Sequence, residues 1–165
     1  MSSAHKNLST FEGSEIPNGA EMCIGIVVSE WHSDITDALL SGAMKTLVKN
    51  GVKEKNIILN YVPGSFELTL GAQFLCENKK TDAVICIGCV IQGETSHFDF
   101  ICDAVAQGIT IVSLKFNKPV IFGVLTPDTL EQAQERAGGK HGNKGDEAAV
   151  AALKMVAAKK NNIAN

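Results

Sequence analysis

The sequence predicts a three-layer αβα domain built on a parallel sheet of about four strands. Apolar runs of strand length alternate along the chain with segments whose apolar residues recur at helical spacing. The strand runs are also nearly continuous in their hydrophobicity, as strands covered on both faces require. No repeat, low-complexity stretch or long linker divides the chain. Residues 21–165 are therefore expected to form one domain, and residues 1–20 a flexible tail outside it.

Each element has its own signal. Residues 22–29, MCIGIVVS, read as the first strand. Ser33 or Asp34 can cap a helix running to about Asn50, with Ile35, Ala38, Leu39, Ala43, Leu47 and Val48 at helical spacing and Gly51 at its stop. Residues 56–62 read as the second strand, ended by Pro63 and Gly64. A helix is expected from Phe66 to about Asn78, with Lys79 and Lys80 near its negative end. Residues 83–91 are the third strand. The spacing then predicts a short helix over 97–107 stopped by Gly108, a fourth strand over 109–114, and a fifth strand or extended segment over 120–125. Pro127 is placed at the first turn of a helix reaching about Ala137. A glycine-rich connector over 138–145 leads into a last helix through Ala158.

Composition narrows the function classes. Of 165 residues, 45% are hydrophobic and 20% charged, enough apolar material for a core without staples. Fifteen Lys and Arg against 18 Asp and Glu leave a net charge of −3, so the basic excess of a duplex nucleic-acid binder is absent. The longest apolar run, residues 83–91, is about half of what a membrane span needs. The first twenty residues lack the pattern of a signal or transit peptide. Five cysteines, Cys23, Cys76, Cys86, Cys89 and Cys102, give an odd count that suits thiols in a reducing cytoplasm. Cys86 and Cys89 are three apart on a strand, so they should point to opposite faces and share neither a metal nor a disulfide.

In an open parallel sheet, ligands bind beyond the carboxyl ends of the strands. Three polar and aromatic segments follow those ends: 29–33, 63–67 and 92–97. Trp31 can anchor a core or offer a platform to a planar heterocycle. Gly64, Ser65, Phe66 and Glu67 open a helix, either as an ordinary cap or as a cradle for a polyol or heterocycle edge. In the 92–97 segment, Gly93, Thr95 and Ser96 resemble an anion cradle, with His97 inside it as a candidate for proton transfer or as a capping residue. Arg136, Lys140, His141 and Lys144 among four glycines suit either a phosphate site or a solvated kink. P-loop, Gly-x-Gly-x-x-Gly, nucleophile-elbow and HExxH patterns do not occur, and no metal-ligand set is evident. The residues thus point to chemistry on a phosphorylated small molecule and a planar one.

Five stretches, in order, resemble the lumazine synthases of riboflavin biosynthesis: 26–31 (IVVSEW), 62–68 (VPGSFEL), 88–100 (GCVIQGETSHFDF), 119–126 (PVIFGVLT) and 136–145 (RAGGKHGNKG). The resemblance implies a flavodoxin-like fold and a cofactor-free, metal-free transferase. Its expected reaction condenses 5-amino-6-(D-ribitylamino)uracil with 3,4-dihydroxy-2-butanone 4-phosphate, giving 6,7-dimethyl-8-ribityllumazine, phosphate and water. By the same resemblance Trp31 stacks on the pyrimidine. Ser65, Phe66, Glu67, Cys89, Val90 and Ile91 bind the ribitylaminouracil, Glu94 and Thr95 line the butanone-phosphate subsite, and His97 is the general acid/base. Phe122 and Arg136 match positions that enter from a neighbouring subunit, Arg136 gripping phosphate, and Lys140 matches a further basic position. The family implies a cytoplasmic homo-oligomer of five subunits, compatible here with a 60-subunit shell because the 138–142 kink carries no insertion, with riboflavin synthase as a further partner. His32 stands where the family usually has Asn, and Thr69 where it often has Pro. An inactive flavin- or lumazine-binding protein and a shell-forming scaffold are the competing readings. His97 and Arg136 argue against a pure binder.

Overall fold

The computed structural model describes Ser9 and residues 15–163. The described chain begins with a segment that packs on the domain: Ile16 lies against the core, the Gly19 N–H donates to the Asn50 carbonyl at 2.8 Å, and the Met22 N–H donates to Gly19. The tail expected over 1–20 otherwise falls on residues outside the described set, apart from Ser9. The Ser9 hydroxyl accepts from the Asn143 N–H and donates to the Asn143 carbonyl.

Four strands, β1 (Ile24–Ser29), β2 (Ile57–Val62), β3 (Ala83–Cys89) and β4 (Val120–Leu125), form one parallel sheet in the order β2-β1-β3-β4. Every residue of β1 and β3 is buried, as central parallel strands require. Helices cover both faces. On one, Leu39, Ala43 and Leu47 of α1 (Ser33–Lys49) and Ala149, Ala152 and Leu153 of α5 (Lys144–Ile163) meet Ile26, Val28, Ile85 and Ile87. On the other, Leu68, Ala72 and Leu75 of α2 (Leu68–Glu77) and Val105, Ile109 and Val112 of α3 (His97–Phe116) meet Val27, Val84, Cys86 and Val124. Cys86 and Cys89 accordingly sit in different layers.

Several expected elements are corrected. Residues 97–107 and 109–114 are not a helix and a strand but one helix, α3. Gly108 does not stop it. A Cβ there would lie 2.5 Å from Thr69 Oγ1, so Gly108 is the notch that lets α3 close on α2. The actual stop is Asn117, in the left-handed region with φ 48°. Among the described residues α3 alone is long and apolar enough to cross a membrane. Here it lies along the sheet, with Phe100, Ile111 and Leu114 exposed on its outer side.

The segment 120–125 is the fourth strand. Pro127 does not open a helix: its carbonyl accepts from the Gln92 N–H, and α4 (Leu130–Glu135) starts after Thr129, whose hydroxyl takes the Gln132 N–H. The 138–145 connector folds into a two-stranded antiparallel hairpin, β5 (Ala137–Gly139) with β6 (Gly142–Asn143). Neither Ser33 nor Asp34 caps α1; the cap is His32, with φ 59° and no side-chain bond. Lys79 and Lys80 do lie just past the end of α2, and Lys118 joins them there, donating to the carbonyls of Cys76 and Asn78.

Candidate active site

At the carboxyl edge of the sheet the hydrogen-bond ladder outlasts the strands. The Glu30 N–H donates to the Val62 carbonyl at 2.8 Å and the Trp31 N–H to that of Pro63 at 3.2 Å. This extension carries the Trp31 indole across Gly64, where a Cβ would stand 3.0 Å from Cε3. Trp31 is 67% exposed, so it is not a core anchor. The chain then turns sharply at His32, whose carbonyl accepts from the N–H groups of Ile35 and Thr36. His tolerates the left-handed region better than most residues, so His32 meets the backbone demand of this turn.

A 3-10 turn, Ser65–Glu67, follows β2. The Glu67 carboxylate accepts from the Gly64 N–H at 3.0 Å, half of a capping box, since Gly64 has no side chain to reciprocate. Ser65 is buried and its hydroxyl donates to the Cys89 carbonyl at 3.4 Å, tying this turn to the end of β3. Phe66 is 56% exposed beside it. The Cys89 thiol is pushed up to about 11 by burial, which keeps it protonated and unreactive near neutral pH. Beneath this group the Ser29 hydroxyl is fully buried with no hydrogen-bond partner among the described residues. A Cβ on Gly88 would collide with Ser65 Oγ at 2.7 Å and approach Ser29 Oγ at 3.4 Å.

Beyond β3 the ladder extends again. Val90 donates to Leu125 at 2.8 Å and Gln92 to Pro127 at 3.0 Å, leaving Val90 and Ile91 half-buried. From Gln92 to His97 every residue is exposed, and Gly93 faces open space. Glu94 and Thr95 lie on this lip, and Thr95 Oγ1 accepts from the His97 N–H at 3.4 Å. His97 is the first residue of α3. Trp31, Ser65, Phe66, Glu67, Cys89, Val90, Ile91, Glu94, Thr95 and His97 therefore lie at or just beyond three adjacent strand ends.

Phe122 and Arg136 are not gathered there. Phe122 pairs in register with Cys86, three residues short of the strand end, and lines a hollow of about 300 Å³ on the outer side of β4 with Ile109, Thr110, Ser113, Leu114 and Val120. Arg136 ends α4 and is tied to the α5 side of the sheet. Its Nη1 donates to the His141 carbonyl and its Nη2 to Glu147 Oε1 at 2.5 Å. Glu147 Oε2 lies 3.3 Å from Lys144 Nζ. Lys140 is exposed at the hairpin tip, with its backbone N–H on Glu135. Glu147 escaped the sequence reading. Its position three residues after Lys144 in a first helical turn was the available signal; its pairing with Arg136, eleven residues away, needed the hairpin.

The sequence pattern of the family described as 6,7-dimethyl-8-ribityllumazine synthase matches residues 21–160. A relative of that name from Cytophaga hutchinsonii is 66% identical over 157 residues, covering 95% of this chain and 98% of the relative. One from Parabacteroides distasonis is 56% identical over 156 residues, covering 94% and 98%. One from Flavobacterium johnsoniae is 50% identical over 155 residues, covering 94% and 82%. The match spans every strand of the parallel sheet, the indole, the 64–67 turn, the 92–97 lip and the basic hairpin alike, and at this identity and coverage the chain belongs to the 6,7-dimethyl-8-ribityllumazine synthase family.

Proposed function

We propose that this chain condenses 5-amino-6-(D-ribitylamino)uracil with 3,4-dihydroxy-2-butanone 4-phosphate to give 6,7-dimethyl-8-ribityllumazine, phosphate and water. The observation that carries this reading is the exposed Trp31 indole over Gly64, beside a Glu67 carboxylate fixed on the Gly64 N–H. A planar, polar-edged ring can stack on the first and hydrogen-bond beside the second.

In this reading Trp31 stacks on the pyrimidine. Ser65, Phe66, Glu67 and the 89–91 segment (Cys89, Val90 and Ile91) hold its edge and the ribityl chain. Glu94 and Thr95 line the subsite for the butanone phosphate. His97 moves protons as the amine adds to the ketone, water leaves to form the imine, phosphate is eliminated, and the ribityl-bearing nitrogen closes the second ring with loss of another water. Arg136 grips that phosphate and stabilises its charge as it departs, with Lys140 as a further basic group. No metal or cofactor takes part. Holding two reactants in contact supplies much of the acceleration.

The working unit is a homo-oligomer, a ring of five whose sites form between neighbours, each completed by the adjacent subunit's copies of positions 122 and 136. Support comes from two features: Phe122 and Arg136 lie away from the strand-end cluster, and α3 bears exposed Phe100, Ile111 and Leu114. The short 138–142 segment suits further assembly into a 60-subunit shell. Residues 21–165 act as one domain in the cytoplasm, with riboflavin synthase as the partner that consumes the product.

The test mixes purified protein with both substrates and follows lumazine fluorescence, with sedimentation run in parallel. Acceleration over the spontaneous background by a ring or larger assembly is expected. No acceleration overturns the enzyme reading, and a stable active monomer overturns the shared site.

A further inference from the structure

Against the basic hairpin lies a carboxylate that the proposed task of holding phosphate does not explain. Glu147 sits in the first turn of α5 with 15% of its side chain exposed, between two cations. Its Oε1 takes Arg136 Nη2 at 2.5 Å, and its Oε2 lies 3.3 Å from Lys144 Nζ. Arg136 is held on a second side by the His141 carbonyl, through Nη1. These contacts use one N–H on each terminal nitrogen. A guanidinium carries five, so Nε and the remaining terminal hydrogens have no partner among the described residues and can serve a ligand. The side chains of Arg136 and Lys144 are 22% and 30% exposed, enough for an anion to reach them.

An unsupported arginine beside a lysine would turn away from it, since like charges at this range repel. A carboxylate bridging the two removes that repulsion and fixes the plane of the guanidinium, while the trio keeps a net positive charge. The hairpin supports the same geometry from the backbone: the Lys144 N–H donates to the Arg136 carbonyl at 2.9 Å and the His141 N–H to that of Glu135 at 3.0 Å. Arg136 is thus held at its backbone and at both terminal nitrogens, which is more constraint than a solvated kink needs.

We propose that Glu147 is a positioning residue for phosphate recognition: it bridges Arg136 and Lys144 and aims the free edge of the guanidinium at the phosphate of the butanone substrate. This rests on the reading of Arg136 as the phosphate grip. Glu147 touches neither substrate and acts through Arg136. The opposite role is also physically coherent. A carboxylate on Arg136 can compete with phosphate and hold the site shut, and the two roles predict effects of opposite sign.

The experiment uses the assembled full-length protein, with Glu147→Gln, Arg136→Ala and the double variant, and with inorganic phosphate as a competing probe. For Glu147→Gln we expect the KM for the butanone phosphate and the inhibition constant of phosphate both to rise about tenfold, as when an oriented charge-assisted contact is loosened. The KM for the ribitylaminouracil and the melting temperature stay near their original values, which a merely structural role would not allow. Added to Arg136→Ala, Glu147→Gln has no further effect. Tighter phosphate binding in Glu147→Gln overturns the proposal in favour of competition. Equal losses for both substrates, an unchanged KM, or a full additional loss in the double variant overturn it as well. If Arg136→Ala leaves the butanone-phosphate KM unchanged, the phosphate reading of Arg136 fails first and takes this inference with it. If that variant is impaired and Glu147→Gln is not, only this inference fails.

Discussion

The strand-end cluster and the basic hairpin are built by different means. Around Trp31 and Ser65 the backbone does the positioning: the β1–β2 and β3–β4 ladders run on past Ser29 and Cys89, and the side chains follow. Around Arg136 a side-chain charge network is added to the backbone bonds, through Glu147 and Lys144, with the His141 carbonyl as a further acceptor. The first region should therefore keep its shape when one side chain is lost. The second depends on a charge network and on close helix contact, so single changes there should be felt more strongly.

The largest expected effect is that of Arg136→Ala, a loss of about 10³-fold in kcat/KM for the butanone phosphate, from a missing charge-assisted grip on a departing anion. Binding of the ribitylaminouracil should change little. Steady-state kinetics and ligand titration check both halves, and an intact kcat/KM would turn attention to Lys140 or Lys144.

Gly145→Ala comes next, and it acts on stability. A Cβ there would stand 1.9 Å from the Leu39 carbonyl oxygen, which belongs to the α1 backbone and cannot swing aside. We expect a loss of about 3 kcal/mol or more, read by denaturant unfolding. A neutral result would show that α1 and α5 can separate without harm.

On the other side of the comparison, His97→Ala should reduce kcat by only about 10²-fold, the low end for a positioned acid/base group, because proximity carries much of the rate. A loss above about 10⁴-fold would make proton transfer the main source of the acceleration and reverse the ranking of the two regions.

The smallest effects concern the thiols. Burial raises Cys89 to about 11 and Cys86 further still, so both should be the last to alkylate at pH 8, as followed by mass spectrometry. A thiol whose folded value is raised stays protonated while the unfolded chain ionises from about 9. Its contribution is complete below that pH and is lost as pH rises through about 11. Stability should therefore fall across that window and not below it.

Much of the first region was legible because it depends on local signals. Apolar runs announced β1, β2 and β3, and the rule about strand ends then collected Trp31, Ser65, Glu67 and His97 before any contact was known. What failed depended on tertiary partners. Gly108 looked like a helix stop because its reason, the Thr69 side chain of α2, lies 39 positions earlier in the chain. Ile109, Val112 and their neighbours fit a strand as readily as a helix, and packing on the sheet decided between them. Pro127 carried a helix-start signal, but its carbonyl was already committed to Gln92. Glu147 looked like an ordinary first-turn acid until the hairpin brought Arg136 to it.

The extended ladder also divides the site by its freedom of motion. Trp31, Val90 and Gln92 have their amides locked into the sheet edge, so a molecule settling on the indole meets a surface already shaped for it and sacrifices mainly its own entropy. The lip from Gly93 to His97 is exposed and held by short local contacts such as the Thr95–His97 bond. A ligand there must order the protein as well as itself. The same free energy of contact thus yields weaker net binding on the lip than on the platform, and the entropy lost in ordering the lip falls on whichever substrate occupies it.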